Sequence, residues 1–361
     1  MLDSPLDSPG TPGPTVRTLD TADPAAVREV VAALDATERQ VGVPLVDEAE
    51  RQRLDAAVNG DQASNWHAWL AQTPSADASL AEAPVEIIGY AAITCKKSTP
   101  ATAQVIGDAA PFRRDAYGWR TVLPALVRTV AARVRDISPS GSASADPQLW
   151  IRHVGPGELD HVKNEARLDR QLAVLGRSLP ERVDVPQSDT RVRTYVPGAD
   201  DAAVVNVLAA AYEGTGDGGW DLAQFKQRRT FDWFAPEDLL LATVGDGASA
   251  AGDATSAATA TGVEATDGNA EDVVGLMWCK RRSETEGEVY NLAVHPKAQG
   301  RGLGPLLLAA GLAHLREVGC TDVILWVDRA NARAVEVYES AGFTTRWDDV
   351  AVRAQSDMPA G

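Results

Sequence analysis

The sequence predicts an α/β protein built from two similar units, and three observations indicate this. The chain has 361 residues, enough for about two ordinary domains with a core each. Its second half alternates apolar, β-prone runs with helical patterns. Four short motifs of the first half also recur, in the same order, in the second. We therefore expect a duplicated chain.

The recurring motifs pair early segments with late ones. The pairs are 87–91 with 274–277, 118–121 with 302–305, 149–151 with 325–327, and 175–176 with 341–342. The spacing within a pair shortens after the second pair, where a Ser/Gly-rich stretch at 138–147 interrupts the first half. A duplicated unit with local insertions gives this pattern.

Composition marks the expected domain boundaries. Residues 1–14 are rich in Pro, Ser, Asp and Gly and are expected to be a disordered tail. A proline-containing stretch at 181–190 is expected to link an N-terminal domain, 15–180, to a C-terminal domain, 191–355. Within the latter, residues 245–269 are almost wholly small and polar. We predict a flexible insert there, between two apolar segments that pair as strands.

Charge and cysteine content bear on partners and location. The net charge of −17 argues against nucleic acid, which requires a basic face. No apolar run approaches the ~20 residues of a membrane span, and the N-terminus does not resemble a signal peptide. Cys95, Cys279 and Cys320 match no disulfide framework or zinc spacing. We expect a cytoplasmic monomer with no bound metal and no membrane partner.

A glycine-rich turn in the second half has the geometry of a phosphate site. It follows a β-prone run at 288–294 and precedes leucines at helical spacing that end near Gly319. At such a turn, backbone N–H groups and the helix dipole favour an anion, and missing side chains let it approach. The spacing is neither that of a Rossmann fingerprint nor that of a P-loop.

A second motif follows the turn. Residues 323–327 are apolar throughout, which predicts a strand buried on both faces. Asn331, Ala334, Tyr338 and the pair 342–343 then mark a helix and its end. In this order, the two motifs resemble the GNAT family of acetyl-CoA-dependent N-acetyltransferases. The resemblance implies two tandem GNAT domains, each a mixed, mostly antiparallel sheet flanked by helices.

The GNAT resemblance also implies roles for individual residues. Tyr338 corresponds to the tyrosine that protonates the leaving thiolate. The strand before the glycine turn offers backbone groups to pantetheine and to the acetyl carbonyl. The residues expected to bind acetyl-CoA are Leu292, Ala293, Val294, Gln299, Gly300, Arg301, Gly302, Leu303, Gly304, Pro305, Asn331, Ala332, Arg333, Ala334, Val335 and Glu336.

From 191 to 352 the chain more specifically resembles the mycothiol synthase family of tandem GNAT enzymes, and before residue 191 the resemblance is thin. The matching segments are 211–212, 218–220, 228–229, 233–234, 275–280, 288–290, 325–328 and 342–345. The family acetylates the cysteinyl amine of a cysteinyl-glucosaminyl-inositol. It has a tyrosine where this chain has Trp326. The resemblance implies substrate contacts at Glu48, Asp217, Lys280, Glu288 and Trp326.

Glu288 is the expected general base, because an α-amine of pKa about 7.7–8 is partly protonated at neutral pH and must lose its proton. Each site residue also has an ordinary interpretation. Glu288 could be a solvated strand end, Lys280 a surface charge, and Tyr338 and Trp326 packed side chains. Two other functions stay open: acetylation of another small amine or a protein N-terminus, and a non-catalytic acetyl-CoA-binding module.

The first half departs from the GNAT pattern. Around 111–120 the second and third glycines are missing, and the repeat places Leu172 at the position of Tyr338. We therefore expect a degenerate, non-catalytic domain that supports the second one and supplies Glu48.

Overall fold

The computed structural model describes residues 13–61, 65–73, 86–96, 104–112, 118–137, 148–155, 157–162, 164–215, 217–244 and 272–354. Residues 1–12 of the predicted tail, the Ser/Gly-rich stretch at 138–147 and the predicted insert at 245–269 lie outside this part of the chain. The protein divides into two compact units. The first comprises Met1–Ala173, Asp328–Ala330 and Trp347–Gly361, and the second Val174–Val327 and Asn331–Arg346.

The first unit begins with a short strand and two helices, followed by the strands of its sheet. The elements are β1 (Thr15–Thr18), α1 (Pro24–Val41), α2 (Glu48–Val58), β2 (Trp66–Gln72), β3 (Ile87–Lys96), β4 (Gln104–Pro111), α3 (Leu123–Ile137), β5 (Gln148–Val154) and β6 (Ala166–Ser178). The order β1–β2–β3–β4–β5 is antiparallel except between β4 and β5.

The second half of the chain repeats this order of elements, with helix α7 in addition. They are β7 (Arg191–Thr194), α4 (Asp201–Ala211), α5 (Leu222–Arg228), β8 (Leu239–Val244), β9 (Asp272–Arg281), β10 (Glu286–Val294), α6 (Leu303–Glu317), β11 (Asp322–Asp328), α7 (Ala332–Ser340) and β12 (Thr344–Ala354). Strands β7 to β10 are antiparallel neighbours, and β10 and β11 are parallel. The mixed, mostly antiparallel sheets confirm the predicted fold class, and β8 and β9 pair as predicted.

The last strand of each sheet comes from the other half of the sequence. Residues 347–354 of β12 belong to the first unit, where Val350 pairs with Ile151 and Val352 with Leu149 on β5. Residues 174–178 of β6 belong to the second unit, beside β11. These units therefore differ from the predicted domains 15–180 and 191–355. The physical reason is that β5 and β11 would otherwise present unpaired edges.

The repeat offset misplaces the counterpart of Tyr338. Leu172 lies in strand β6, whereas Tyr338 lies in helix α7. Where the second unit has α7, the first has only a short 3₁₀ segment, Glu158–Val162. The assignment of Leu172 is therefore wrong, because insertions between the two halves changed the offset along the chain.

Helix α6 packs on one face of the second unit's sheet at very short range. Its leucines 306, 307, 308, 312 and 315 are all buried. A Cβ on Gly311 would lie 2.5 Å from Cγ of Met277 on β9, and one on Gly287 of β10 would lie 2.8 Å from Leu315. The missing side chains thus set the distance between helix and sheet. Helices α4 and α5 cover the opposite face, with Val204, Val207, Leu208 and Phe225 in a common core with Trp278.

We expect Gly311→Ala to destabilise the protein. Overpacking against Met277 costs about 1–3 kcal/mol, which outweighs the helix-propensity gain of about 1 kcal/mol. A lower melting temperature for Gly311→Ala checks this. The matched control is Gly304→Ala in the same helix, where a Cβ meets nothing within 4 Å. Equal melting temperatures for the two variants would contradict the close packing.

Candidate active site

Strands β10 and β11 separate part-way along the second unit's sheet. Their parallel pairing joins Glu286 with Asp322 and ends with Glu288 opposite Ile324. Beyond that pair, β10 continues to Val294 and β11 to Asp328. The pairing of β10 with β9 is irregular at the same level, since Val289 pairs with Cys279 but Asn291 with Trp278. A bulge therefore turns β10 away from β11 and opens a gap between them.

The backbone of β10 directs polar groups into this gap. A Cβ built on Gly275 of β9 would lie 3.1 Å from the carbonyl oxygen of Ala293. The backbone N–H of His295 donates to the Val274 carbonyl at 2.9 Å. Residues 293 and 295 thus face β9. Because backbone groups alternate along a strand, Leu292 and Val294 direct theirs to the other side. Their carbonyls accept bonds from outside the sheet, from Tyr212 Oη at 3.4 Å and Gln299 Nε2 at 3.2 Å.

The glycine-rich turn forms an open N-terminus for helix α6. Gly300 and Gly302 have φ of 80° and 76°, the left-handed region that glycine adopts without strain. Gly302 is the N-cap, and a Cβ on Gly300, Gly302 or Gly304 would meet nothing within 4 Å. The first N–H groups of α6 therefore face open space, as an anion site at a helix N-terminus requires.

The turn, the end of β10 and helix α7 enclose one cavity of about 470 Å³. Its size is that of a small-molecule or cofactor site. Asn331 caps α7 by accepting from the Ala334 N–H at 3.2 Å, and Arg333 donates to Gln299 Oε1 at 3.4 Å, which ties α7 to the glycine turn. The lining residues are Leu292, Val294, Gln299, Gly300, Gly302, Leu303, Gly304, Pro305, Asn331, Arg333, Ala334, Val337 and Tyr338.

Most residues predicted to bind acetyl-CoA thus line a single cavity. The others lie beside it. Ala293 is buried in the core on the α4 face, Arg301 is exposed at the turn, and Ala332, Val335 and Glu336 lie on α7. Their contacts with a cofactor stay predictions.

One tyrosine, Tyr338, lines the cavity, and a second, Tyr212, bonds the carbonyl of a lining residue, Leu292. Tyr338 is only 8% exposed, packed edge-on against Phe343. Burial raises the pKa of Tyr338 well above its usual value. Burial raises the pKa of Tyr212 as well, with smaller contributions from Tyr338 and Asp217. Both phenols therefore keep their protons at neutral pH, so Tyr338 can act as a proton donor and Tyr212 as a hydrogen-bond donor.

The opposite face of the sheet from α6 carries charged and aromatic side chains. Gly287, Met277 and Cys279 face α6, so Glu288 and its pairing partner Lys280 face the other way. Trp326, two residues beyond the partner of Glu288 on β11, lies on the same face and is half-buried. Three of the predicted substrate contacts therefore share one surface.

Polar and aromatic partners fix these side chains. Glu288 is 7% exposed and pairs with Arg282, whose Nη1 lies 2.9 Å from Oε2. Glu288 is thus not a solvated strand end. Lys280 Nζ lies 4.6 Å from the Trp233 ring centre and 5.8 Å from that of Tyr290, a cation–π arrangement.

The other two predicted substrate contacts lie elsewhere. Asp217 is exposed in the turn after α4, where its N–H donates to Thr215 Oγ1 at 3.3 Å, and its charge acts on Tyr212. Glu48 belongs to the first unit, as the exposed first residue of α2. Two residues later in α2, Glu50 is a buried carboxylate that accepts from Trp66 Nε1 at 2.8 Å and from Tyr90 Oη at 2.5 Å.

Sequence reasoning assigned no role to Tyr212, Arg282 or Trp233. A strand alternation places Lys280 and Arg282 on one face, and this signal was available. The contacts of Tyr212 and Trp233 join segments far apart in sequence, and no local pattern indicates them.

Within the described residues, no group of His, Cys, Asp or Glu is arranged to hold a metal ion. In the same part of the chain, no helix is both long and apolar enough to cross a membrane.

Comparison with known proteins adds independent findings. The model of the acetyltransferase (GNAT) family matches residues 230–343. A mycothiol acetyltransferase of Nocardia farcinica is 33% identical over 345 residues, which is 93% of this chain and 94% of that protein. The chain belongs to the mycothiol acetyltransferase family. The predicted family is thus confirmed, and the chain is an acetyl-CoA-dependent N-acetyltransferase.

Solved structures agree on the fold. A GCN5-related N-acetyltransferase from Sphaerobacter thermophilus superposes with a TM-score of 0.62 at 18% identity, covering 94% of both chains. A tandem GNAT protein from the clavulanic acid biosynthesis pathway gives 0.54 at 13% identity, covering 96% of this chain and 100% of that one. These likenesses support two tandem GNAT domains.

We expect Tyr212→Phe to lower kcat/KM about two- to tenfold, the effect of losing one neutral hydrogen bond to the Leu292 carbonyl. Steady-state kinetics with varied acetyl-CoA measure this, with the melting temperature as a check on folding. The control is Tyr290→Phe, which leaves the Leu292 carbonyl bond in place. Full activity of Tyr212→Phe would mean that this bond does not help to order the cavity.

Proposed function

We propose that the second unit transfers the acetyl group of acetyl-CoA to the cysteinyl amine of a cysteinyl-glucosaminyl-inositol and so forms mycothiol. One observation carries the proposal. The gap between β10 and β11, the open N-terminus of α6 and the Tyr338 phenol all meet at a single cavity. The family of the chain supplies the acceptor, since its members are named for mycothiol.

The turn and α7 are suited to hold acetyl-CoA. The N–H groups at the start of α6 bind the pyrophosphate, and Gln299 and Arg333 line the same cavity. The gap beside Leu292 and Val294 accepts the pantetheine arm, whose amide groups pair with backbone groups as a further strand would. The residues present therefore fit the co-substrate.

The chemistry is direct attack of the amine on the thioester. A C–N bond forms, the C–S bond breaks, and the amine loses a proton while the thiolate gains one. Backbone N–H groups at Leu292 and Val294 stabilise the negative charge that develops on the carbonyl oxygen. Glu288 takes the proton from the amine, directly or through water, and Tyr338 gives one to the departing thiolate. Holding the two substrates together removes much of the entropic barrier.

The acceptor lies on the face of the sheet that carries Lys280, Glu288 and Trp326. The cysteinyl amine approaches Glu288, and the half-buried ring of Trp326 offers an apolar surface for a sugar. Two further contacts are predicted. One is Asp217, whose charge acts on Tyr212, and the other is Glu48. We place the reaction in the cytoplasm, because three widely spaced cysteines indicate a reducing compartment.

An acceptor panel tests the proposed function. We expect rapid turnover with cysteinyl-glucosaminyl-inositol and at most slow turnover with free cysteine, polyamines and a peptide with a free N-terminus. CoA should be quantified by chromatography, because the acceptor itself carries a thiol. Folded protein that acetylates a polyamine but not the cysteinyl sugar would overturn the acceptor. A protein that binds acetyl-CoA yet turns over no amine would identify a binding module.

We expect Tyr338→Phe to lower kcat about 100-fold, as loss of a general acid does, with little change in the KM for acetyl-CoA. Because burial raises the pKa of Tyr338 above the usual value of about 10, the phenol stays protonated throughout the neutral range. The loss should therefore be constant from neutral pH to about pH 9. Unchanged kcat would remove Tyr338 as the proton donor.

A further inference from the structure

Arg282 follows directly on β9 and reaches the side chain of the proposed base. Its N–H donates to the Glu286 carbonyl at 2.9 Å, which extends the β9–β10 ladder by one residue. Its Nη1 lies 2.9 Å from Glu288 Oε2. The carboxylate side chain is 9% exposed and the guanidinium side chain 21% exposed. The ion pair is therefore largely withdrawn from water, where a charge interaction is much stronger than at the surface.

Further contacts hold the guanidinium in one place. Its carbon lies 5.3 Å from the ring centre of Trp326, and Nε lies 3.3 Å from Oε2 of Glu286. An arginine that stacks on an indole and also binds a carboxylate has little rotational freedom left. Arg282 thus joins Glu288 to the aromatic side chain with which we expect the acceptor sugar to pack.

The charges around Glu288 come from β9 and β10. Lys280 is its pairing partner on β9, and Arg282 binds it from the end of the same strand. Glu286, on β10, contacts Arg282. The pairing partner of Glu288 on β11 is Ile324, and Trp326 lies further along that strand. Burial disfavours an ionised carboxylate, whereas the Arg282 guanidinium in contact with it favours the ionised form, which is the form a base requires.

We propose that Arg282 is a positioning residue that keeps the Glu288 carboxylate ionised and oriented, so that it accepts the proton of the acceptor amine. The inference rests on the proposed function, because it presumes that Glu288 is the base. In this role the ion pair acts on proton transfer. An ion pair that only stabilised the fold would leave proton transfer unaffected.

The test compares Arg282→Met and Arg282→Lys with the wild type, using whichever acceptor the wild type acetylates. We expect Arg282→Met to lower kcat about 10- to 100-fold, the range for impaired general-base catalysis. Without its cation, Glu288 binds a proton more readily. The acid limb of the kcat/KM profile should then move to higher pH by about one to three units. Arg282→Lys should recover part of both effects, because it keeps the charge but not the planar stack.

Two comparisons separate this role from a structural one. Arg281→Met removes the charge of the neighbouring residue. The Arg281 side chain is 48% exposed, and its Nε lies 3.7 Å from Asp238 Oδ2. This variant should leave kcat and the acid limb unchanged. In a Glu288→Gln background, Arg282→Met should cause little further loss, because the two residues act as a unit.

The inference is overturned if the acid limb of Arg282→Met, or of Arg282→Gln should the first variant fold poorly, coincides with that of the wild type. It is equally overturned if the loss is undiminished in the Glu288→Gln background. Failure of the proposed function is a separate result. It is seen with the wild type alone, as absent turnover of the cysteinyl sugar, and leaves the comparison of variants intact on another acceptor.

Discussion

The separation of β10 from β11 after Glu288 is the constraint on which the rest of the site depends. Two parallel strands that stayed paired would satisfy each other's backbone groups and leave no space between them. Once β10 bends at its bulge, the backbone groups at Leu292 and Val294 lose that partner. Their carbonyls accept instead from Tyr212 and Gln299, and the N–H groups on the same side of β10 are placed to pair with a ligand in the gap. Binding and catalysis thus arise from one irregularity in the sheet.

The same strand can serve both substrates of the proposed reaction because its groups point in different directions. Before the bulge, the side chain of Glu288 faces away from α6, beside Lys280 and near Trp326. After the bulge, the backbone of Leu292 and Val294 faces the cavity under α6 and α7. In the proposed reaction, one strand therefore presents a base to the acceptor and hydrogen-bond donors to the thioester. The close packing at Gly311 and Gly287 fixes the sheet against α6. It therefore restricts the movement of both the Glu288 side chain and the β10 backbone.

Sequence reasoning succeeded where local pattern decides structure. The strand, the glycine turn and the helix lie where predicted, because positive-φ glycines and apolar spacing are local signals. It failed where distant segments meet. No local signal showed that β12 would pair with β5, and the repeat offset misplaced Tyr338's counterpart at Leu172. Strand alternation does place Arg282 on the face of Lys280, but its ion pair with Glu288 depends on the register of the hairpin, which the sequence pattern leaves open.

We place the proposed chemistry in the second unit because the two units begin the same helix differently. In the second, Gly302 and Gly304 leave the N-terminus of α6 open. In the first, the helical turn Gly118–Val122 precedes α3, and Trp119 there is 2% exposed within the core. A buried indole holds that turn against its own sheet, where a phosphate cradle needs bare backbone. The first unit also has a short 3₁₀ segment, Glu158–Val162, where the second has the helix that carries Tyr338. Within the described residues, the cradle and the acid therefore come together only in the second unit.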